Sequence, residues 1–120
     1  MARVSARLTA DKPSHAPGEP ITLTLTVTNG SQAPVVLTFP TAQRFDVVVS
    51  DAAGRDVWRW ATGRMFAQAV GSETISPSGS LVYTVRVEKK LLPGVYSATG
   101  LVTAPEGTPS ASIVLRVEPR

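Results

Sequence analysis

From Ile21 to Thr28 the chain alternates without a break: Ile21, Leu23, Leu25 and Val27 are apolar, and each is followed by a threonine. Successive side chains of an extended strand point to opposite faces, so this stretch has one apolar face and one hydroxyl-bearing, β-branched face. Wound as a helix, the same residues would scatter their apolar groups around the axis and bury none of them together. The segment is therefore predicted as a half-buried strand, which needs a second layer to cover its apolar face. Pro17-Gly18-Glu19-Pro20 leads into it and Asn29-Gly30-Ser31 closes it, both of them turn sequences.

The same period recurs on either side. Val4, Ala6 and Leu8 alternate with Arg3, Ser5, Arg7 and Thr9. Val35, Leu37 and Phe39 form a short strand closed by Pro40, and Phe45, Val47 and Val49 alternate with Asp46, Val48 and Ser50. Asp51-Ala52-Ala53-Gly54 reads as a hairpin turn into Val57-Trp58-Arg59-Trp60, with Gly54 supplying a positive φ. Leu81, Tyr83, Val85 and Val87 make another alternating run. The strand Val95 to Thr103 turns Tyr96, Ala98, Gly100 and Val102 to one side, and Ile113, Leu115 and Val117 share a face of the last strand. Residues 105–109 read as the hairpin loop between those two. Arg64 to Val70 lacks alternation and contains good helix formers, so it is predicted as an irregular crossing with one helical turn, and Ile75 as the start of a short edge segment. Nine glycines and ten prolines fall mostly between these runs. Seven to eight strands, with turn signals about every eight to twelve residues, are the pattern of an all-β, immunoglobulin-like antiparallel sandwich. Residues 1–120 are read as one such domain.

Few chemistries fit the inventory. The chain has no cysteine and one histidine, His15, in the Pro-bounded loop Lys12-Pro13-Ser14-His15-Ala16-Pro17, where it reads as an exposed loop residue. A zinc site needs several His or Cys ligands. No serine sits in a nucleophile elbow, and no glycine-rich phosphate loop opens a helix. Asp46, Asp51 and Asp56 read as turn and strand-edge carboxylates rather than as a calcium loop. The chain is accordingly read as a binding protein and not an enzyme, with no metal and no cofactor. The net charge of +3 is spread over scattered arginines, with only Lys89-Lys90 adjacent, which argues against a nucleic-acid partner. No apolar run approaches the length of a membrane span or of a leader at the start, which points to a cytoplasmic location, or to the cell envelope if a leader has been removed.

Two segments stand out as contact surfaces. Trp58-Arg59-Trp60-Ala61-Thr62-Gly63-Arg64-Met65-Phe66 holds both tryptophans, one of the three phenylalanines and one of the two methionines. In one reading Trp58 and Trp60 share a face and fill the core, with Phe66 folding back over the end of the sandwich. In the other, part of the segment is an exposed anchor for a partner, because Trp, Arg and Met are favoured at interfaces. The first candidate loop is Arg64, Met65 and Phe66. The second is Leu91, Leu92 and Pro93, in which one leucine caps the core or shows itself to a partner.

Several of these stretches together resemble the intracellular proteinase inhibitor family of bacilli, the BsuPI-type domain. The resemblance is carried by Pro17-Gly18-Glu19-Pro20, Val27-Thr28-Asn29, Phe39-Pro40-Thr41-Ala42-Gln43-Arg44-Phe45-Asp46, Val57 through Phe66, and Leu92-Pro93-Gly94-Val95-Tyr96. It spans about residues 14 to 104. It implies an immunoglobulin-like sandwich and a protein partner, an intracellular subtilisin-type serine protease; separately, the chain is read as a monomer or weak dimer. No reactive-site residue comes with it, so both candidate loops rest on the residues alone. The alternative is a general binding or adhesion module of a larger bacterial envelope protein, without inhibitory activity.

Overall fold

The computed structural model describes residues 4–104 and 109–119. Arg3 and most of the loop expected at 105–109 lie outside them. Among the described residues the strands are β1 (Val4–Ala10), β2 (Ile21–Asn29), β3 (Val35–Phe39), β4 (Phe45–Ser50), β5 (Asp56–Arg59), β6 (Gly71–Ile75), β7 (Ser80–Val87), β8 (Gly94–Val102) and β9 (Ser110–Val117). They pair antiparallel as a three-stranded sheet β1-β2-β7, a four-stranded sheet β5-β4-β8-β9 and a two-stranded pair β3-β6. This is the antiparallel, immunoglobulin-like sandwich expected from the alternation. No helix among the described residues is long and apolar enough to cross a membrane.

The alternation of β2 decides the packing. Ile21, Leu23, Leu25 and Val27 are all buried, while the threonines between them stay half-exposed. Facing them across the sandwich, β8 buries Tyr96, Ala98, Gly100 and Val102. Gly100 sits where the layers come closest: a Cβ there would lie 3.0 Å from Leu25 Cδ1 and 3.3 Å from Leu8 Cδ1. Glycine is the residue that lets both leucines approach the backbone of β8. In β4 the expected alternation gives way to five consecutive buried residues, Phe45 to Val49, and on the face away from the core Asp46 is covered by Arg59 and Ala61.

Three sequence expectations are corrected. First, Arg64–Val70 contains no helical turn. A tight turn over Trp60–Gly63 precedes it, and the chain then runs irregularly to β6. The helix formers there have no apolar partner face to wind against, and helix propensity alone does not stabilise so short a helix. Second, Ile75 ends a strand rather than starting one. Gly71–Ile75 is too polar to read as a strand, yet it pairs along the whole of β3. Third, His15 is not an exposed loop residue: it is 1% exposed. Its backbone extends the edge of β9, His15 N–H donating to the Arg116 carbonyl (3.0 Å) and Glu118 N–H to the His15 carbonyl (2.8 Å). The loop carrying it thus covers the end of an edge strand that would otherwise offer free hydrogen-bonding groups. Inside, Nε2 donates to Asp11 Oδ1 at 2.8 Å, while Nδ1 has no partner.

Asn29 shows why an Asn-Gly-Ser turn follows β2. It is fully buried, and its Nδ2 donates to the carbonyls of Ala33 (2.8 Å) and Ile75 (3.0 Å). Its Oδ1 accepts from Ser31 N–H at 2.9 Å. One amide thereby ties β2 to the chain entering β3 and to the end of β6, and no buried polar atom of the side chain is left unmet.

Candidate functional site

The aromatic segment after β5 is built on β4. Phe45 faces the core and stacks on Tyr83 of the opposite sheet, with ring centroids 4.5 Å apart and planes 20° off parallel. Trp60 stacks on Phe45 at 4.3 Å and 23°, and Phe66 leans on Trp60 at 5.7 Å and 46°. Four rings, Tyr83, Phe45, Trp60 and Phe66, therefore run from the far sheet out to the loop. Offset aromatic pairs each contribute about 0.5–1.5 kcal/mol beyond the area they bury. Trp58 pairs with Val49 in the β4–β5 register and so turns to the same inner side. Both tryptophans are half-buried and pack against the core. The two readings of the segment thus divide it: the tryptophans and Phe66 pack, while Met65 projects.

Asp46 organises the backbone beneath this column. It is 5% exposed, so it is no strand-edge carboxylate. Oδ1 accepts from Val47 N–H (2.8 Å) and Ala61 N–H (3.1 Å), and Oδ2 accepts from Arg59 Nη1 (2.9 Å). Asp51 and Asp56 do fit the expectation. Asp51 caps its own hairpin turn through Ala53 and Arg55 N–H, and those bonds, chiefly the one from Arg55, hold its carboxyl below the usual range. Asp56 meets Ser50 Oγ at 3.0 Å on the surface.

Above Asp46 the loop is clamped. Thr62 N–H donates to the Arg59 carbonyl and Arg64 N–H to the Ala61 carbonyl, making two successive turns that require the positive φ of Gly63 (81°). Arg64 Nε donates to the Trp60 carbonyl at 2.8 Å, with its guanidinium 4.5 Å from the Trp60 ring centroid. Ala67 accepts from Ala42 N–H at 2.9 Å, which ties the far side of the loop to the chain between β3 and β4. Arg44, in that same connection, bonds the Thr41 carbonyl (3.1 Å) and Glu73 (3.2 Å) and lies over the Phe39 ring. Between these fixed points Met65 is 98% exposed.

The second candidate is at the other end of the molecule. Phe45 pairs with Val102 at the end of the sheet nearest the aromatic loop, whereas β8 begins at Gly94, beyond the Ser50–Ser97 pair. Leu91 is buried and Leu92 is 77% exposed, so one leucine caps the core and the other projects. Leu91 is thereby unable to touch a partner. The Leu92 carbonyl accepts from Tyr96 OH at 2.7 Å. Along β5, a shallow cleft lined by Trp58, Arg59, Thr62 and Lys89 lies between the two loops, with Lys89 Nζ donating to the Val57 carbonyl at 2.7 Å. Among the described residues no cluster of three or more His, Asp or Glu is placed to hold a metal ion.

Sequence reasoning picked Met65 by composition, but it missed Asp46 and the pedestal role of Trp60. The available signal was Asp46 itself, a charged residue set between Phe45 and the run Val47-Val48-Val49. Its partners are 13 and 15 residues away, and only the β4–β5 hairpin brings them to it.

The molecule is an antiparallel sandwich with a clamped loop at one end. The chain belongs to the BsuPI family, the intracellular proteinase inhibitors, whose family model matches residues 8–107. It is therefore a member of an inhibitor family rather than an enzyme family, and the partner that family implies is a proteinase. No curated protein sequence matches the chain. Among solved structures, the C-terminal domain of wzt is similar at a TM-score of 0.62 with 11% identity, covering 100% of this chain and 76% of that one. A CARDB domain from Pyrococcus furiosus, solved in complex with di-metal ions, gives 0.58 and 13%, covering 96% and 87%. Spo0M, a sporulation control protein from Bacillus subtilis, gives 0.57 and 15%, covering 98% of this chain and 49% of its own. At these identities the likeness is one of fold alone.

Proposed function

We propose that the chain inhibits an intracellular subtilisin-type serine protease in the cytoplasm, entering its cleft with Arg64-Met65-Phe66. One observation carries this reading. Met65 is 98% exposed while the residues on either side of it are held by Trp60, Arg64 through its Nε bond to the Trp60 carbonyl and its guanidinium over the ring, and Phe66 by ring contact. A protease cleft binds an extended segment, and a segment that must first be ordered loses about 1–2 kcal/mol of backbone freedom per residue. The clamps impose much of that order before binding, which favours affinity. They also oppose the separation of the two chain ends that cleavage requires. A large apolar Met65 suits the apolar primary pocket expected of a subtilisin-type protease.

The test is inhibition of a purified subtilisin-type protease by the full chain. Tight inhibition with the chain intact supports the reading, and rapid cleavage without inhibition removes it. A second surface has its own support in Leu92, 77% exposed, with its carbonyl held by Tyr96 OH. If inhibition survives substitution of Met65 and is lost on substitution of Leu92, the contact belongs at that end.

A further inference from the structure

We propose that Met65 is a peroxide-sensitive switch on the inhibitory loop. The inference rests on the loop reading above and names how that site is regulated. The chain has two methionines and no cysteine, and the other methionine is Met1. Met65 thus supplies the only sulfur among the described residues, and it stands 98% exposed at the tip of the clamped segment. Exposure governs how readily a thioether is oxidised.

The step balances with a peroxide as oxidant. The sulfur lone pair attacks one oxygen of hydrogen peroxide, an S–O bond forms as the O–O bond breaks, and the other oxygen leaves as hydroxide and takes the proton of the transferred oxygen to become water. Sulfur loses two electrons to form the sulfoxide and the peroxide is reduced. The product is a polar, chiral group in place of a flexible apolar one. Two features of the loop confine the consequence to binding. Met65 buries almost nothing in its own fold, so its oxidation removes no packing. The contacts holding the loop belong to Arg64, Phe66 and Ala67, none of which oxidation at Met65 alters. An apolar protease pocket that receives the thioether would desolvate the sulfoxide without offering it a donor, which disfavours the complex. Enzymatic reduction of the sulfoxide would restore the inhibitor.

The test treats the full chain with hydrogen peroxide and follows three readouts: the oxygen content of the Met65 peptide by mass spectrometry, the melting temperature, and inhibition of a subtilisin-type protease. Met65→Leu, which keeps the shape but not the sulfur, runs in parallel. The expected result is full conversion of Met65, an unchanged melting temperature, and inhibition weakened by about tenfold or more, equivalent to about 1.4 kcal/mol. Peroxide should leave the inhibition given by Met65→Leu at that variant's own untreated level, whatever that level is, and methionine sulfoxide reductase should restore the native chain. Full conversion with inhibition intact overturns the switch while leaving the inhibitor reading standing. So does a parallel loss in Met65→Leu, which would place the damage elsewhere. If the untreated chain does not inhibit, the inhibitor reading fails first and the switch falls with it.

Discussion

The carboxylate of Asp46 and the guanidinium of Arg59 meet at 2.9 Å, one residue 5% exposed and the other half in water, and the other oxygen of that carboxylate accepts from Val47 N–H and from Ala61 N–H in the turn that follows β5. The pair differs from a surface salt bridge because its acid cannot rehydrate where it stands. Asp46→Ala leaves the Val47 and Ala61 N–H groups without their acceptor. The expected loss is about 1–3 kcal/mol of stability by chemical denaturation, since Arg59 can turn to solvent. The loop should suffer more than the fold. In Asp46→Ala, protease should cleave within Gly63–Ala67 faster than in the native chain at a temperature where both are folded. Equal cleavage rates would show that the carboxylate does not hold the loop.

The exposed tips at the two ends of the sandwich can be told apart by charge. Met65→Asp and Leu92→Asp each place a carboxylate where the side chain already faces water, so neither should move the melting temperature by more than a degree or two. Inhibition should be lost in Met65→Asp, with Kd raised at least a hundredfold, and kept in Leu92→Asp. The reverse pattern in a titration against active protease would move the contact to the β7–β8 end.

Trp60→Ala removes the middle of the ring column and the surface that Arg64 and Phe66 both use. Because the indole is half-buried, the expected destabilisation is about 2–4 kcal/mol, below that of a fully enclosed tryptophan. Inhibition should fall even in protein that remains folded, while Trp60→Phe, which keeps a ring on Phe45, should recover part of both. If Trp60→Ala melts like the native chain, the column contributes nothing to stability.

The Asp11–His15 contact gives the fold an acid-sensitive joint. Burial works against the charged form of Asp11, but it is outweighed by the hydrogen bond from His15, joined by Thr22 N–H, so its pKa lies below the ordinary aspartate value. A carboxyl whose pKa is lower folded than unfolded adds stability above the unfolded value of about 3.9 and loses it as pH falls through the folded one. Thermal melts should therefore show extra loss of stability below about pH 4 in the native chain, and a smaller one in Asp11→Asn. Identical acid profiles for the two would mean that the contact carries no linked proton.

What could be read along the chain and what could not divide by range. The strict alternation of Ile21–Thr28 fixes which face of β2 is buried, because a strand has only two faces and a one-residue slip would drown the apolar one. The turn sequences at 17–20, 29–31 and 51–54 bound the strands in the same local way, and the single histidine and absent cysteines excluded most chemistries before any fold was known. Met65 could be named as a candidate from its neighbours, though not as exposed.

Only the tertiary structure decided the partners. Gly71–Ile75 is a strand because β3 lies beside it, not because its residues favour one. His15 is buried because a loop folds onto β9 a hundred residues later in the chain. Asp46 holds Ala61 because a hairpin returns the chain across β4. Leu91 and Leu92 are adjacent and similar, yet one closes the core and the other faces water, since a core has an edge and composition does not say where it falls. Local period is set by backbone geometry and is written in consecutive residues. Burial at a loop depends on segments distant in sequence, and becomes legible only when the layers are stacked.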